Sequence, residues 1–293
     1  MKVSILIVNY NGEKFIDDCL KSVFASKLNG SIETIVVDND STDHSIAVLK
    51  SYVPKIKVIQ NHHNSGFSKG NNIAADYASG DYLFLLNNDT ILKEDTIQVL
   101  LDFMTSKPNI GVVVPKLLNE DGSLQCPGSI LGQWRFKSNK PTVVPFVAGA
   151  AVLMKRTVFD EINGLDENLF FYNDDIDLCK SLKRAGYDIY YEPRAQLIHI
   201  GGLSTKFRKL KSLVEGYRGG FYICQKFYGP VALTGYRILI FFDLIPRLCM
   251  HLFKSLFSEE DAKYVKSYLK IIKINLNKEF DVNHPKVKVT EIK

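Results

Sequence analysis

Short apolar runs rich in β-branched residues recur through the first 120 positions, separated by stretches with helical spacing. Val3–Val8, Ile32–Asp38, Ile56–Gln60 and Tyr82–Leu86 are apolar at most positions, the pattern of strands buried on both faces. Glu13–Ala25 places Ile16, Leu20, Val23 and Phe24 on one face, and Asp43–Tyr52 keeps the same period, so both are predicted helices. Strand–helix alternation with short connections predicts an α/β domain with a parallel sheet covered by helices on both sides. In such sheets ligands sit beyond the carboxyl ends of the strands. Polar clusters fall at four such ends: Asn9-Tyr10-Asn11, Asp38-Asn39-Asp40, Asn64-Ser65-Gly66 and Asn87-Asn88-Asp89. Asn, Asp and Gly also make ordinary turns. Recurrence at four strand ends is more than turn chemistry requires.

Gly122–Pro145 is rich in Gly, Pro and Ser and reads as an irregular excursion around a site. Periodicity resumes through Phe146–Met154, Phe170–Leu182, Asp188–Tyr191 and Ala195–Ile200, and beyond Gly202 the chain turns helical.

Composition narrows the classes. With 46% apolar and 24% charged residues and a mean hydropathy of −0.03, the 293 residues are those of an ordinary globular protein, not a collagenous, disordered or polytopic membrane chain. The net charge of +5 hides an asymmetry. Residues 203–293 hold 17 Lys and Arg against 8 Asp and Glu, a net of +9, which leaves −4 for residues 1–202. An α/β region over 1–205 and a basic helical region over 206–293 are expected to meet different partners. Five widely spaced cysteines without a CxxC pair argue for reduced thiols in a cytoplasmic protein. The apolar start is too short to span a bilayer and lacks a cleavage site, so it reads as a strand and not as a secretion signal.

Three segments carry candidate chemistry. Asp174, Asp175 and Asp177 stand beside Phe170, Phe171 and Tyr172, where apolar rings raise the pKa of whichever carboxyl they desolvate. A helix N-terminus also favours Asp, and both readings hold if Asp177 serves the helix while Asp174 and Asp175 face a cleft. Asp89 closes an apolar strand beside further oxygen donors, which suits a hard divalent cation carrying phosphates. His199 lies in an apolar strand, ordinarily a core position, but Gly201 and Gly202 follow and let a ligand approach closely.

These segments, with VSILIVNYNG, TIVVDNDSTD, NHHNSGFSKGNN, DYLFLLNNDT, FVAGAAVLMKR and GLDENLFFYNDDIDLCKSLKRAGY, resemble family 2 glycosyltransferases in content and order. The similarity covers roughly residues 1–205 and is nearest to the rhamnosyltransferase-like branch of bacterial surface polysaccharide synthesis. The resemblance implies a GT-A fold, a Rossmann-like nucleotide-binding half fused to an acceptor-binding half. It implies inverting transfer of a sugar from a nucleoside diphosphate donor, dTDP-rhamnose being the candidate, to a saccharide or lipid-linked acceptor. It also implies Mg²⁺ or Mn²⁺ as cofactor. By position, Val8, Asn9, Tyr10 and Asp38 fall in the pocket for base and ribose, and Asn64, Gly66, Asn72 and Asn88 near ribose and diphosphate. Asp89 takes the last place of the DxD-type motif as metal ligand, with His199 as a further ligand. Asp175 is the general base, and Gly149, Ala150 and Asp174 line the acceptor side.

The chain departs from the family pattern in several places. Asn87 replaces the first Asp of the DxD-type motif, Asp174 a Glu, Asn71 an Arg toward the diphosphate, and Ser181 a helix Arg. No Gln-x-x-Arg-Trp motif follows, and the one tryptophan is Trp134, which argues against a processive synthase. A module of the same fold that binds a nucleotide sugar or glycan without turnover is the alternative; retention of Asp89, Asp175 and His199 together favours the enzyme.

In the basic region, Asp243, Arg247, His251 and Lys254 form a polar stripe, with Leu244, Ile245, Leu248, Leu252, Phe253 and Leu256 away from it. Such a helix fits the plane of an anionic membrane surface or packs on protein. Nucleic acid is not an expected partner, since bulky aliphatics interrupt the charge and no recognition motif is present. The oligomeric state is not legible.

Overall fold

The computed structural model describes residues 1–126, 133–201, 209–281 and 288–292. Contacts divide the chain into two compact units. The first comprises Met1–Asp166, Asp175–Gly201 and the C-terminal strand; the second comprises Glu167–Asp174 and the chain after Gly201 up to that strand.

The first unit is built on one ten-stranded sheet. β1 (Lys2–Asn9), β2 (Ser31–Asn39), β3 (Lys57–Asn61) and β4 (Tyr82–Asn87) run parallel in the order β3-β2-β1-β4. Helices α1 (Ile16–Ala25), α2 (Ser45–Ser51) and α3 (Gly66–Asp76) connect them. Alternate residues of β1 enter opposite cores. Val3, Ile5 and Ile7 pack with Leu20 of α1, and Leu6 packs with Ala74 of α3, which is why the run is apolar at both parities.

Two predicted helices start later than their periodicity. Glu13 accepts from the His44 N–H at 2.8 Å and donates its own N–H to Asp43 Oδ2 at 3.0 Å. These reciprocal bonds hold both residues in the turns that precede α1 and α2.

The other half of the sheet is mixed. β5 (Thr90–Leu92), α4 (Thr96–Thr105), β6 (Ile110–Leu118), β7 (Thr142–Val143), β8 (Ala151–Lys155), α5 (Arg156–Glu161), α6 (Asp174–Arg184) and β9 (Asp188–His199) follow along the chain. β8 is antiparallel to β4 and β6, β9 is parallel to β6, and β5 is antiparallel to β9. β9 joins the two runs read as separate strands: its pairing with β6 skips from Glu192 to Gln196, a bulge that accommodates Pro193. β10 (Val289–Ile292) adds antiparallel to β3 and covers that edge, so the end of the chain is not helical throughout.

In the second unit, α7 (Lys209–Lys254) breaks at Gly229, whose φ of +78° lies where only glycine is comfortable, and Pro230 opens the next helical stretch. α8 (Glu259–Asn277) is capped by Ser258 and opens with Glu259, Glu260 and Asp261. Phe221, Leu233, Leu244, Tyr268 and Ile271 form its core. Arg237 donates to the Asn275 carbonyl and side chain, and Asn275 returns a bond to the Arg237 carbonyl, locking α7 to α8.

Candidate active site

The carboxyl ends of β1, β2 and β4 are joined by one chain of hydrogen bonds. Asn88 Nδ2 donates to Asn9 Oδ1 at 2.7 Å, and Asn9 Nδ2 donates to Asp38 Oδ1 at 2.8 Å. Ser41 donates to Asp38 through its hydroxyl (2.6 Å) and its N–H (3.0 Å). Asp38 is 0% exposed. Its carboxylate thus braces the turn that follows β2, with an Oδ2 lone pair left over.

Glycine is required beside this chain. A Cβ on Gly12 would lie 2.2 Å from Asn88 Nδ2 and 2.3 Å from Asn9 Oδ1. Val8 packs against α3 at Gly70, where a Cβ would lie 2.9 Å from both Val8 methyls. Asn64 accepts from the Gly66 N–H at 3.0 Å, and Gly66, at φ +86°, turns the chain into α3 while its carbonyl accepts from Asn39. Asn72 faces elsewhere among these contacts: it donates to the Leu165 carbonyl (2.8 Å) and accepts from the Leu165 N–H (2.9 Å). That clasp ties α3 to the segment after α5. Tyr10 is half-buried at the β1 end.

Asp89 and His199 meet because β5 and β9 pair antiparallel with Thr90 opposite His199, and the Ile200 N–H donates to the Asp89 carbonyl at 3.0 Å. Asp89 Oδ1 lies 3.4 Å from His199 Nε2, with the two side chains 12% and 16% exposed. Among the described residues no three His, Cys, Asp or Glu side chains converge on a cation position. One carboxylate and one imidazole 3.4 Å apart are a donor set that would suit a divalent ion such as Mg²⁺ or Mn²⁺. Asn87, in the first place of the motif, is held by its backbone: its N–H donates to the Ala150 carbonyl at 2.9 Å, and its carbonyl accepts from Thr90 Oγ1 at 2.7 Å. The first bond sets the half-buried Gly149 and buried Ala150 beside the end of β4.

Asp175 stands in the first turn of α6. The Cys179 thiol is hydrogen-bonded to the backbone of Val147, and Asp175 lies one turn before Cys179 on the same helix face. Burial pushes the Asp175 carboxyl up to about 6, against the opposing pull of the Ile176 N–H and of its own. Asp174 belongs to the second unit, after Tyr172 and Asn173, which both adopt positive φ. Burial pushes the Cys19 and Cys179 thiols up to about 12, so neither is a nucleophile near neutral pH. Gly202 lies outside the described residues.

Gly12, Ser41 and Gly70 adjoin these strand-end contacts, and the sequence assigns none of them a role. Gly12 and Ser41 follow strand-end polar clusters and lie within VSILIVNYNG and TIVVDNDSTD. Gln125, which contacts His199, gave no such signal.

Residues 4–163, more than half of the chain, match the family model for glycosyl transferase family 2. The chain is 27% identical over 226 residues to the O-antigen biosynthesis protein RfbC of Myxococcus xanthus, covering 70% of this chain and 18% of that protein. It is 25% identical over 209 residues to the N-acetylglucosaminyl-diphospho-decaprenol L-rhamnosyltransferase of Mycobacterium tuberculosis (strain CDC 1551 / Oshkosh), covering 59% of this chain and 68% of that one. In fold it is similar to the mannosyltransferase PcManGT from Pyrobaculum calidifontis, solved in complex with GDP-Man and Mn²⁺. That likeness has a TM-score of 0.58 at 14% identity and covers 94% of this chain and 86% of that one. With a GT-A sheet, its strand-end polar chain and this family match, the chain belongs to glycosyl transferase family 2.

Proposed function

We propose that the protein is an inverting, metal-dependent glycosyltransferase that moves a sugar from a nucleoside diphosphate, dTDP-rhamnose as first candidate, to a saccharide or lipid-linked saccharide. The observation that carries this reading is the pairing of a half-buried carboxyl raised to about 6 with a separate Asp89–His199 donor pair in one unit. The donor would lie over the ends of β1 and β4, walled by Val8, Asn9, Tyr10 and Asn88, with Asp38 bracing the wall and Asn64 and Gly66 shaping the start of α3. Asp89 and His199 would hold the divalent ion, which when bound offsets charge on the departing diphosphate. Asp175 takes the proton from the acceptor hydroxyl as its oxygen bonds to the anomeric carbon. The bond from that carbon to the diphosphate oxygen breaks on the opposite face, so configuration inverts. Gly149 and Ala150 leave room for the acceptor sugar. The rhamnosyl and lipid-linked choices draw support from the mycobacterial relative's name.

Nucleotide binding tests the metal half of this reading. By calorimetry, Mn²⁺ should tighten dTDP or UDP binding to the parent protein, EDTA should reverse it, and Asp89→Ala should erase the Mn²⁺-dependent part alone. Equal weakening by Asp89→Ala in metal-free buffer would point to a damaged strand end instead.

A peripheral seat on an anionic membrane belongs to the same proposal. No helix among the described residues is long and apolar enough to cross a membrane. The support is the exposed apolar face of α7 together with the net +9 of residues 203–293.

A further inference from the structure

We infer that Gln125 fixes the tautomer of His199, holding its Nδ1 protonated and its Nε2 bare toward Asp89. The inference rests on the metal-binding reading of that pair and adds the residue that prepares it.

The amide of Gln125 has a donor end and an acceptor end, and its surroundings admit one orientation. Nε2 lies 3.1 Å from the His199 backbone carbonyl and 3.1 Å from Asn119 Oδ1. A backbone carbonyl only accepts, so the NH₂ end faces it. Oε1 then lies 2.6 Å from His199 Nδ1. Since an amide oxygen only accepts, Nδ1 must carry the hydrogen, and a neutral imidazole has a single N–H. Nε2 is left with a lone pair, 3.4 Å from Asp89 Oδ1, itself a lone-pair bearer. Two acceptors facing each other repel, and a cation that accepts both lone pairs removes the conflict. Gln125 therefore makes the pair a cation site, where the opposite tautomer would let Asp89 simply accept a hydrogen bond from the ring.

The backbone holds Gln125 in place for this role. Its N–H donates to the Leu117 carbonyl at 2.9 Å, and the Asn119 N–H donates to the Ser123 carbonyl at 2.9 Å, closing a tight reversal after β6. Gly201, at φ +67°, sits where a Cβ would lie 3.3 Å from Gln125 Nε2, so the chain after His199 also leaves room for the amide. Gln125 is a positioning residue: it touches the ring and not the ion. Partners of this type, which accept from the far nitrogen of a ligating histidine, typically contribute 10–100-fold to metal affinity, about the effect expected here.

The tautomer can be read without turnover or metal. In ¹⁵N-histidine-labelled, metal-free protein at pH about 8, above the ordinary histidine range, long-range ¹⁵N–¹H spectra should show a ring protonated at Nδ1 besides that of His251, whose Nδ1 lies 2.6 Å from Asp261 Oδ1. Loss of the former in His199→Asn assigns it. Gln125→Met should return that ring to the Nε2–H form favoured in water. In parallel, Mn²⁺-dependent dTDP or UDP affinity should fall by about 10–100-fold in Gln125→Met. An Nε2–H or doubly protonated His199 in the parent protein, or an unchanged tautomer in Gln125→Met, overturns the inference. Loss of Nδ1–H in Gln125→Met upholds the tautomer assignment whatever the Mn²⁺ result; a parent protein with that tautomer and no Mn²⁺-dependent binding contradicts the metal reading instead.

Discussion

Burial pushes the Asp175 carboxyl up to about 6, while an exposed Asp in the unfolded chain titrates near 4. Between those values the folded protein holds a proton that the unfolded chain has released. Stability therefore falls as pH rises through that window and is level above it. At neutral pH the carboxylate is ionised, as a base must be, at a cost to folding on the order of 1–3 kcal/mol. Asp175→Asn keeps the shape and the acceptor for the Ile176 N–H but carries no charge. Its melting temperature should exceed that of the parent near pH 8 and match it near pH 4. Equal melting at both pH values, or a loss near pH 8, would mean that the carboxyl is not held in the raised state. Asp89, Asp175 and His199 stood out in the sequence because charge and imidazole interrupt apolar runs there. Gln125 could not stand out, being a neutral side chain in a weakly periodic stretch 74 residues from the histidine it holds. Asn72 entered only through the resemblance of its segment to the family's loop near ribose and diphosphate, and its clasp on Leu165 depends on a segment 93 residues away.

The strands β1 to β4 were visible because burial on both faces leaves a run that is apolar at both parities, as in β1 and β4, whereas β6, equally apolar, was not read as a strand. The mixed half was harder to read. Its strands pair across long separations, β4 with β8 and β5 with β9, and the Gly- and Pro-rich stretch between β6 and β8 offers no periodicity. In α7 the period was legible but the inward face was not. Leu244 enters the core, yet the Tyr217 hydroxyl donates to Asp243, and His251 binds Asp261 and stacks on Tyr264. Polar residues are thus tied back into the unit while apolar ones stand out: Phe242 is 70% exposed, Phe253 69% and Phe257 83%, with Leu239, Leu252 and Leu256 also exposed. An exposed apolar stripe on a basic region fits an anionic bilayer, where each Lys or Arg near the surface contributes about 1 kcal/mol. Cosedimentation with liposomes should rise with phosphatidylserine or phosphatidylglycerol content and weaken with salt. Phe242→Ser with Phe253→Ser should abolish it without lowering the melting temperature, since neither ring is in the core. A parent protein that never pellets with anionic liposomes contradicts the membrane seat.

At the scale of the molecule, the first unit carries Asp38, Asp89, Asp175 and His199 on one sheet and its helices, so the proposed metal ligands and base belong to one unit. The strand and helix alternation of the front half made this α/β architecture legible; the return of the C-terminal strand to β3 was hidden behind a basic region that reads as helical. The aligned part of RfbC is 18% of that protein, so activity has to be measured on this chain itself. The most direct measurement is release of nucleoside diphosphate from dTDP-rhamnose, with a panel of other nucleotide sugars beside it, in the presence of Mn²⁺ and with or without polyprenyl-diphosphate-linked N-acetylglucosamine. Expected is release that depends on acceptor, with Asp175→Asn slower by about 10²–10⁴-fold and still binding donor. Donor binding by both proteins with no release from either, or equal release by both, would contradict transfer with Asp175 as the base.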